Sequence, residues 1–166
     1  MRALLRGLAI CAALAIALPA LSAELAGKVV GVLDGDTIDV LTPAKELVRV
    51  RLAGIDAPEK KQAFGNTAKQ KLSDLAFSRN VVVDWQKRDR YGRIVGKVLI
   101  AGIDVDLEMV KAGLAWHYRK YMKEQPMADR LSYMQAETVA RERRLGLWSD
   151  SMPVPPWEFR RPTQNH

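Results

Sequence analysis

Beyond residue 26 the chain reads first as strands. "GKVVGVL" and "TIDVL" are short apolar-rich runs separated by "DGD", and Asp-Gly between such runs is a hairpin signal. "ELVRVRL" continues the pattern as a third strand. Val48, Val50 and Leu52 share one face; Leu47, Arg49 and Arg51 share the other. The period then changes, with Phe64, Ala68, Leu72, Leu75 and Ala76 recurring at helical spacing. "NVVVDWQ" and "RIVGKVLI" return to strand character around the polar turn "KRDRYG", which contains Gly92. "DVDLEMVKAG" predicts a short helix, with Asp104 or Asp106 as its cap and Gly113 as its stop. Met127, Leu131, Met134 and Thr138 predict a last helix, and the apolar positions of all these runs are assigned to the core.

Five strands, one helix after the third and two more at the end predict an α+β, mainly β fold: a five-stranded OB-type barrel with three helices. The N-terminus stands apart. "MRALLRGLAICAALAIALPALSA" has Arg2 and Arg6, then an uncharged apolar run, then small residues up to Ala23. That is the order of a secretory signal peptide, and the run is shorter than the roughly 20 residues of a membrane span. The expected organisation is a signal peptide over 1–23, one domain over 24–150 and an irregular tail over 151–166. The tail, "SMPVPPWEFRRPTQNH", holds four of the eight prolines. The expected location is periplasmic or secreted, after cleavage near Ala23.

Cleavage changes the chemistry available. It removes Cys11, the one cysteine, so the exported chain must be held by its core, helped at most by a metal. It leaves 24 basic against 19 acidic residues, a balance of +5 that favours polyanionic partners. The two histidines are His117 and the terminal His166, and no H-E-x-x-H, Walker loop or G-x-S-x-G elbow is present. Any metal site would be built from carboxylates, which select hard cations such as Ca²⁺ or Mg²⁺. "DGDTID" fails as an EF-hand loop because its sixth residue is Asp39 and its flanks are strands. Asp34 and Gly35 suit the turn itself, which leaves Asp36 as the candidate ligand.

Phosphodiester hydrolysis needs a carboxylate to orient or deprotonate water, arginine forks to grip phosphoryl oxygens, and a cation to bridge phosphate and water. The chain supplies these types in three places: Asp36; Arg51 with Asp56 and Glu59 in "RLAGIDAPEK"; and Arg93 in "DRYGR". Strand parity separates Arg51 from Asp56, and Gly54 is the position where a bulge or strand end could reunite them. Pro58 restricts Ala57 to an extended conformation and gives Glu59 a defined direction. Trp116 and Trp148 read as packing and His117 as a surface residue. "ARERR" reads as a solvated helix face.

"VLDGDTIDV", "VRLAGIDAPE", "DRYGR", "MVKAGLAW" and "LGLW", in this order from Lys28 to Trp148, resemble the staphylococcal nuclease (thermonuclease) family. The resemblance implies an OB-type barrel and an endonuclease that uses one Ca²⁺ ion. It implies cutting of DNA and RNA with little sequence preference, leaving 3′-phosphate ends. Carried over by position, Arg51 and Arg93 are phosphate clamps, and Glu59 is the general base or water-positioning residue. Asp36, Asp56 and the Ala57 carbonyl are the Ca²⁺ ligands. Tyr91 and Tyr121 match aromatics beside the bound nucleotide. Ala57 stands where the family prototype has threonine, the loop after Glu59 is shorter, and Arg119 replaces a second nucleotide-site tyrosine. DNA and RNA, with single strands favoured, are the expected partners of a monomer with no stable protein partner. The competing reading is a catalytically silent OB-fold module that binds nucleic acid, and turnover separates the two.

Overall fold

The computed structural model describes residues 23–161. The expected signal peptide therefore lies outside the described residues, apart from Ala23. Among the described residues no helix is long and apolar enough to cross a membrane. Strands β1 (Ala23–Val32), β2 (Thr37–Leu41) and β3 (Leu47–Leu52) form an antiparallel meander. A two-residue strand, β4 (Ile55–Asp56), leads to helix α1 (Gly65–Ala76). Strands β5 (Asn80–Arg88) and β6 (Ile94–Ile100) form the second long hairpin, and β7 (Ile103–Asp104) folds back on β6. Helix α2 (Val105–Lys111), strand β8 (Trp116–His117), helix α3 (Met127–Glu142) and a single turn α4 (Pro156–Phe159) complete the chain.

The long strands close on themselves. β1 pairs with both β2 and β5, and β3 pairs in parallel with β6, so β1, β2, β3, β6 and β5 make a five-stranded barrel. This is the expected OB-type architecture, with one helix between the third and fourth barrel strands. The closing register sets Val50 beside Ile94 and Arg51 beside Val95. Val29, Ile38, Val40, Val50, Leu52, Val83, Ile94 and Val98 fill the interior. The predicted faces of β3 are as observed: Val50 and Leu52 are buried, Leu47 and Arg49 exposed.

The helices cap the barrel through the faces that bury Ala68, Leu72 and Ala76 on α1, and Val105, Met109 and Val110 on α2. Asp104 caps α2, its Oδ1 accepting the Leu107 N–H at 2.9 Å, and Gly113 ends the turn beyond. Helix α3 is where it was predicted, but on the opposite face. Met127, Leu131, Met134 and Thr138 are exposed, while Tyr133, Glu137 and Ala140 are buried. Glu137 tolerates burial because it accepts the His117 N–H and an ion pair from Arg119.

Two close approaches set the loop that carries the acids. Gly54 has φ 70°, a left-handed turn that ends the β3 alternation. Gly65 opens α1 directly beneath the Glu59 loop, and a Cβ there would sit 2.0 Å from the Glu59 carbonyl oxygen. Backbone cannot yield as a flexible side chain can. Gly65→Ala is expected to lower stability by about 1–3 kcal/mol through overpacking and to displace Glu59. Urea denaturation, with turnover measured on the folded fraction, checks both effects. Unchanged stability and turnover would show that the loop moves freely.

Candidate active site

β3 delivers Arg51 at its end, and the rest of the site is arranged around that guanidinium. Nη1 donates to the carbonyls of Leu52 at 2.7 Å and Ile55 at 2.9 Å, folding the turn back onto the strand. Nη2 lies 2.9 Å from Asp56 Oδ1 and 3.1 Å from Asp36 Oδ2. The left-handed Gly54 thus reunites Arg51 with Asp56, as the parity argument required. β4 then pairs antiparallel with β8, Asp56 opposite Trp116, which fixes the Asp56 backbone.

Asp36 reaches the same place from the β1–β2 turn. Asp34 serves the turn, its Oδ1 accepting the Asp36 N–H at 3.0 Å. Asp36 Oδ2 accepts the Ala57 N–H at 2.7 Å, so the hairpin is tied to the loop after β4. Asp36, Asp56 and Ala57 are all buried. Burial is the largest influence on Asp36. Against the pull of Arg51, and with Asp34 and Asp56 adding repulsion, its carboxyl is pushed up to about 7. Against Arg51 alone the two buried acids are short of positive charge, and their oxygens are the donors a hard cation takes. The pair fits a divalent ion on that ground. Among the described residues no group of three or more His, Cys, Asp or Glu is placed to hold a metal, so the side-chain share of such a site is the pair.

Glu59 follows Pro58 at the rim of the site. Its N–H donates to the Gln62 side chain at 3.1 Å, and its carbonyl accepts the Gln62 N–H at 2.8 Å. Its carboxylate is held by Arg160, whose Nη1 lies 2.6 Å away. The same guanidinium donates to Asp56, from Nη2 to Oδ2 at 2.7 Å and from Nη1 to Oδ1 at 3.2 Å. Arg160 is absent from the sequence reading, which treated the tail as irregular. Pro155-Pro156 ahead of Glu158 is a helix-start signal that could have located α4. No sequence pattern names the acids that Arg160 meets.

Arg93 stands one residue before β6. Strand pairing puts it on the face shared by Val95 and Arg51, but its observed partner is Asp89, at 2.8 Å from both Nε and Nη2. Asp89 also accepts the N–H groups of Tyr91 and Arg93, which shapes the hairpin tip. Tyr91 projects from that tip, 69% exposed, with Arg90 and Arg93 over its ring. Tyr121 is exposed too, 5.1 Å edge-on from Tyr118 and under Lys87. Trp116 and Trp148 are buried against each other, as expected of packing residues. Arg141 of the solvated "ARERR" face lies over both rings. His117 corrects the sequence reading. It is fully buried in β8, its Nε2 bonded to Gln125 at 2.9 Å, because its backbone pairs with Ile55 and carries it under the barrel rim.

Comparisons with known proteins bear on this arrangement. A family profile described as staphylococcal nuclease homologue matches residues 49–150. A Shigella flexneri protein named micrococcal nuclease is 44% identical over 98% of this chain and 95% of its own length. An Escherichia coli protein named uncharacterized endonuclease is 46% identical over 86% of this chain and 89% of its own. Another from Escherichia coli, named protein ParB, is 45% identical over 98% of this chain and 94% of its own.

Two predictions follow from the ion pairs. Arg51→Lys leaves one ammonium to serve two carbonyls and two carboxylates. It is expected to cost about 2–4 kcal/mol of stability by stranding buried acceptors, read from denaturant melts. Asp89 behaves differently. Partial burial opposes its ionisation, but the bonds from Arg93 and the two loop N–H groups outweigh it and hold its carboxyl below the ordinary range. A depressed folded value contributes stability above the unfolded value, lost as pH falls through the folded one. Asp89→Asn should therefore melt below the parent at neutral pH and converge with it as pH falls below the ordinary carboxylate range. A melting difference that persists in acid would contradict this.

Proposed function

The chain belongs to the staphylococcal nuclease family, and from that premise we propose that it is an exported, Ca²⁺-dependent endonuclease. It is a nuclease, a hydrolase whose substrates are nucleic acids. In the fuller reading it cuts DNA and RNA with little sequence preference, leaves 3′-phosphate ends, favours single strands and acts as a monomer. The observation that carries the reading is the convergence of Asp36 and Asp56 on Arg51, with Glu59 joined to Asp56 through one further guanidinium.

In this reading Asp36, Asp56 and the Ala57 carbonyl hold one Ca²⁺. A bound calcium ion would neutralise charge on the phosphodiester and polarise its phosphoryl oxygen. Glu59, at the rim rather than in the core, takes the proton of the attacking water. Arg51 offers phosphate the Nη2 edge that now holds Asp36 and Asp56. Arg93 approaches from the hairpin tip, on the same face of the sheet. Tyr91 and Tyr121 are exposed aromatics flanked by cations, a combination suited to unstacked bases and their phosphates, which supports the preference for single strands. Export rests on Arg2, Arg6 and the uncharged run after them.

The test compares parent and Glu59→Gln on single-stranded DNA, with calcium and with excess chelator. Turnover of the variant should fall about 10²–10⁴-fold while binding persists, and chelator should silence the parent. Parent-rate cleavage in chelator would end the calcium reading. Binding without turnover in the parent would return the chain to a silent binding module. Sequencing the N-terminus of protein recovered outside the cytoplasm should begin near Glu24; an intact Met1 would argue against processing.

A further inference from the structure

The C-terminal tail runs back over the site from the Trp116–Trp148 cluster. Its last described turn, α4, is anchored by Pro156, which is buried, and by the Gln62 side-chain amide donating to the Val154 carbonyl. Trp157 lies parallel to Tyr118, ring centroids 5.3 Å apart at 12°, and edge-on to Trp116 at 5.5 Å. One turn on, Arg160 grips both oxygens of Asp56 and one of Glu59. A base-sized aromatic thus covers a tyrosine face, while a cation sits on two of the acids assigned to catalysis.

We infer that residues 155–160 form an intramolecular plug: Arg160 takes the Asp56 oxygens that a divalent cation would use, and Trp157 covers Tyr118 as a nucleobase would. This rests on the nuclease reading above and adds its regulation. With the plug in, Glu59 is held in an ion pair and is no free base. Asp56 has both oxygens engaged by the guanidinium groups of Arg51 and Arg160, so a divalent cation competes with them for the same oxygens.

The plug is built to leave. Asp56 is buried, but the Arg160 side chain is 43% exposed, so its pairing is screened from one side. A cavity of about 230 Å³ lined by Pro58, Phe64, Pro153 and Phe159 lies between the tail and the loop it covers, so the two do not pack densely along their whole length. A charged contact open to solvent on one side yields to a competing ion more readily than an enclosed one.

The experiment uses the full chain, Arg160→Gln and Trp157→Ala. Calcium chloride is titrated by calorimetry, and amide exchange is followed at Phe159 and Arg160, whose N–H groups bond to the Pro155 and Pro156 carbonyls. If the plug is seated about nine-tenths of the time, both variants should bind calcium about tenfold more tightly than the parent. Saturating calcium should deprotect the two amides in the parent. Equal affinities with unchanged protection would overturn the proposal. Absence of calcium binding to all three chains would instead overturn the calcium reading. The plug is then judged by metal-free binding of single-stranded DNA. Arg160→Gln removes a positive charge and should by that alone weaken binding. Tighter binding with faster tail exchange would sustain the plug; weaker or equal binding would overturn it.

Discussion

One guanidinium organises this end of the barrel. Arg51 ends a strand whose other side chains alternate between core and solvent, and its two Nη atoms meet four oxygens from three chain segments. Leu52 and Ile55 supply carbonyls; Asp36 and Asp56 supply charge. Buried acids are costly alone and tolerable around a fixed cation. The β1–β2 turn, the end of β3 and the β4–β8 ladder are therefore held in one geometry, because any of them moving would strand a charge or a carbonyl. The planar fork of arginine can serve carbonyls on one nitrogen and carboxylates on the other, which a point ammonium cannot.

The legible parts of the chain were those where pattern and partner lie close together. Asp-Gly between apolar runs located the first hairpin, and the parity of Val48, Val50 and Leu52 located the face of β3. Even the conflict between parity and chemistry at Arg51 and Asp56 was readable, because a glycine between them could break the alternation. What pattern could not decide was sign. Helix α3 carries two stripes at the same spacing, and the more apolar one, Met127–Leu131–Met134, faces solvent. The buried stripe includes Glu137, satisfied by the His117 N–H and by Arg119, partners that no periodicity reveals. His117 was misplaced for the same reason, since a two-residue ladder with β4 buries it. The candidate site was legible as a set of residues through family resemblance, while Arg160 was not: its partners lie about a hundred positions away, and one helical turn is too short to leave a period.

The acids divide by what surrounds them. Asp36 is enclosed, bonded to a backbone N–H and crowded by Asp34 and Asp56, so its carboxyl rises. Glu59 stands at the rim, attached to the fold by its backbone turn with Gln62. Its carboxylate meets only Arg160 among the described residues, a partner brought from the tail. Enclosed oxygens with fixed directions suit ligation, where geometry must persist. A rim carboxylate suits proton transfer, where water must arrive and depart. In the proposed reading, position alone gives chemically similar side chains different work.

Arg160 makes that division conditional. Its guanidinium has the charge that the crowded acids lack, and it touches one enclosed acid and the rim acid at once. A divalent ion on Asp36 and Asp56 would satisfy the enclosed pair without engaging Glu59. The two cations therefore leave the site in different states, and only the second leaves a free carboxylate beside a charged centre. Trp157 couples this to the aromatic surface, because the same short turn that aims Arg160 lays its ring on Tyr118. In the proposed plug, withdrawal of the turn would uncover Tyr118 and free Glu59 together. A tail of little intrinsic structure can do this because it contributes one charge and one ring, each placed by the surface it leans on rather than by its own fold.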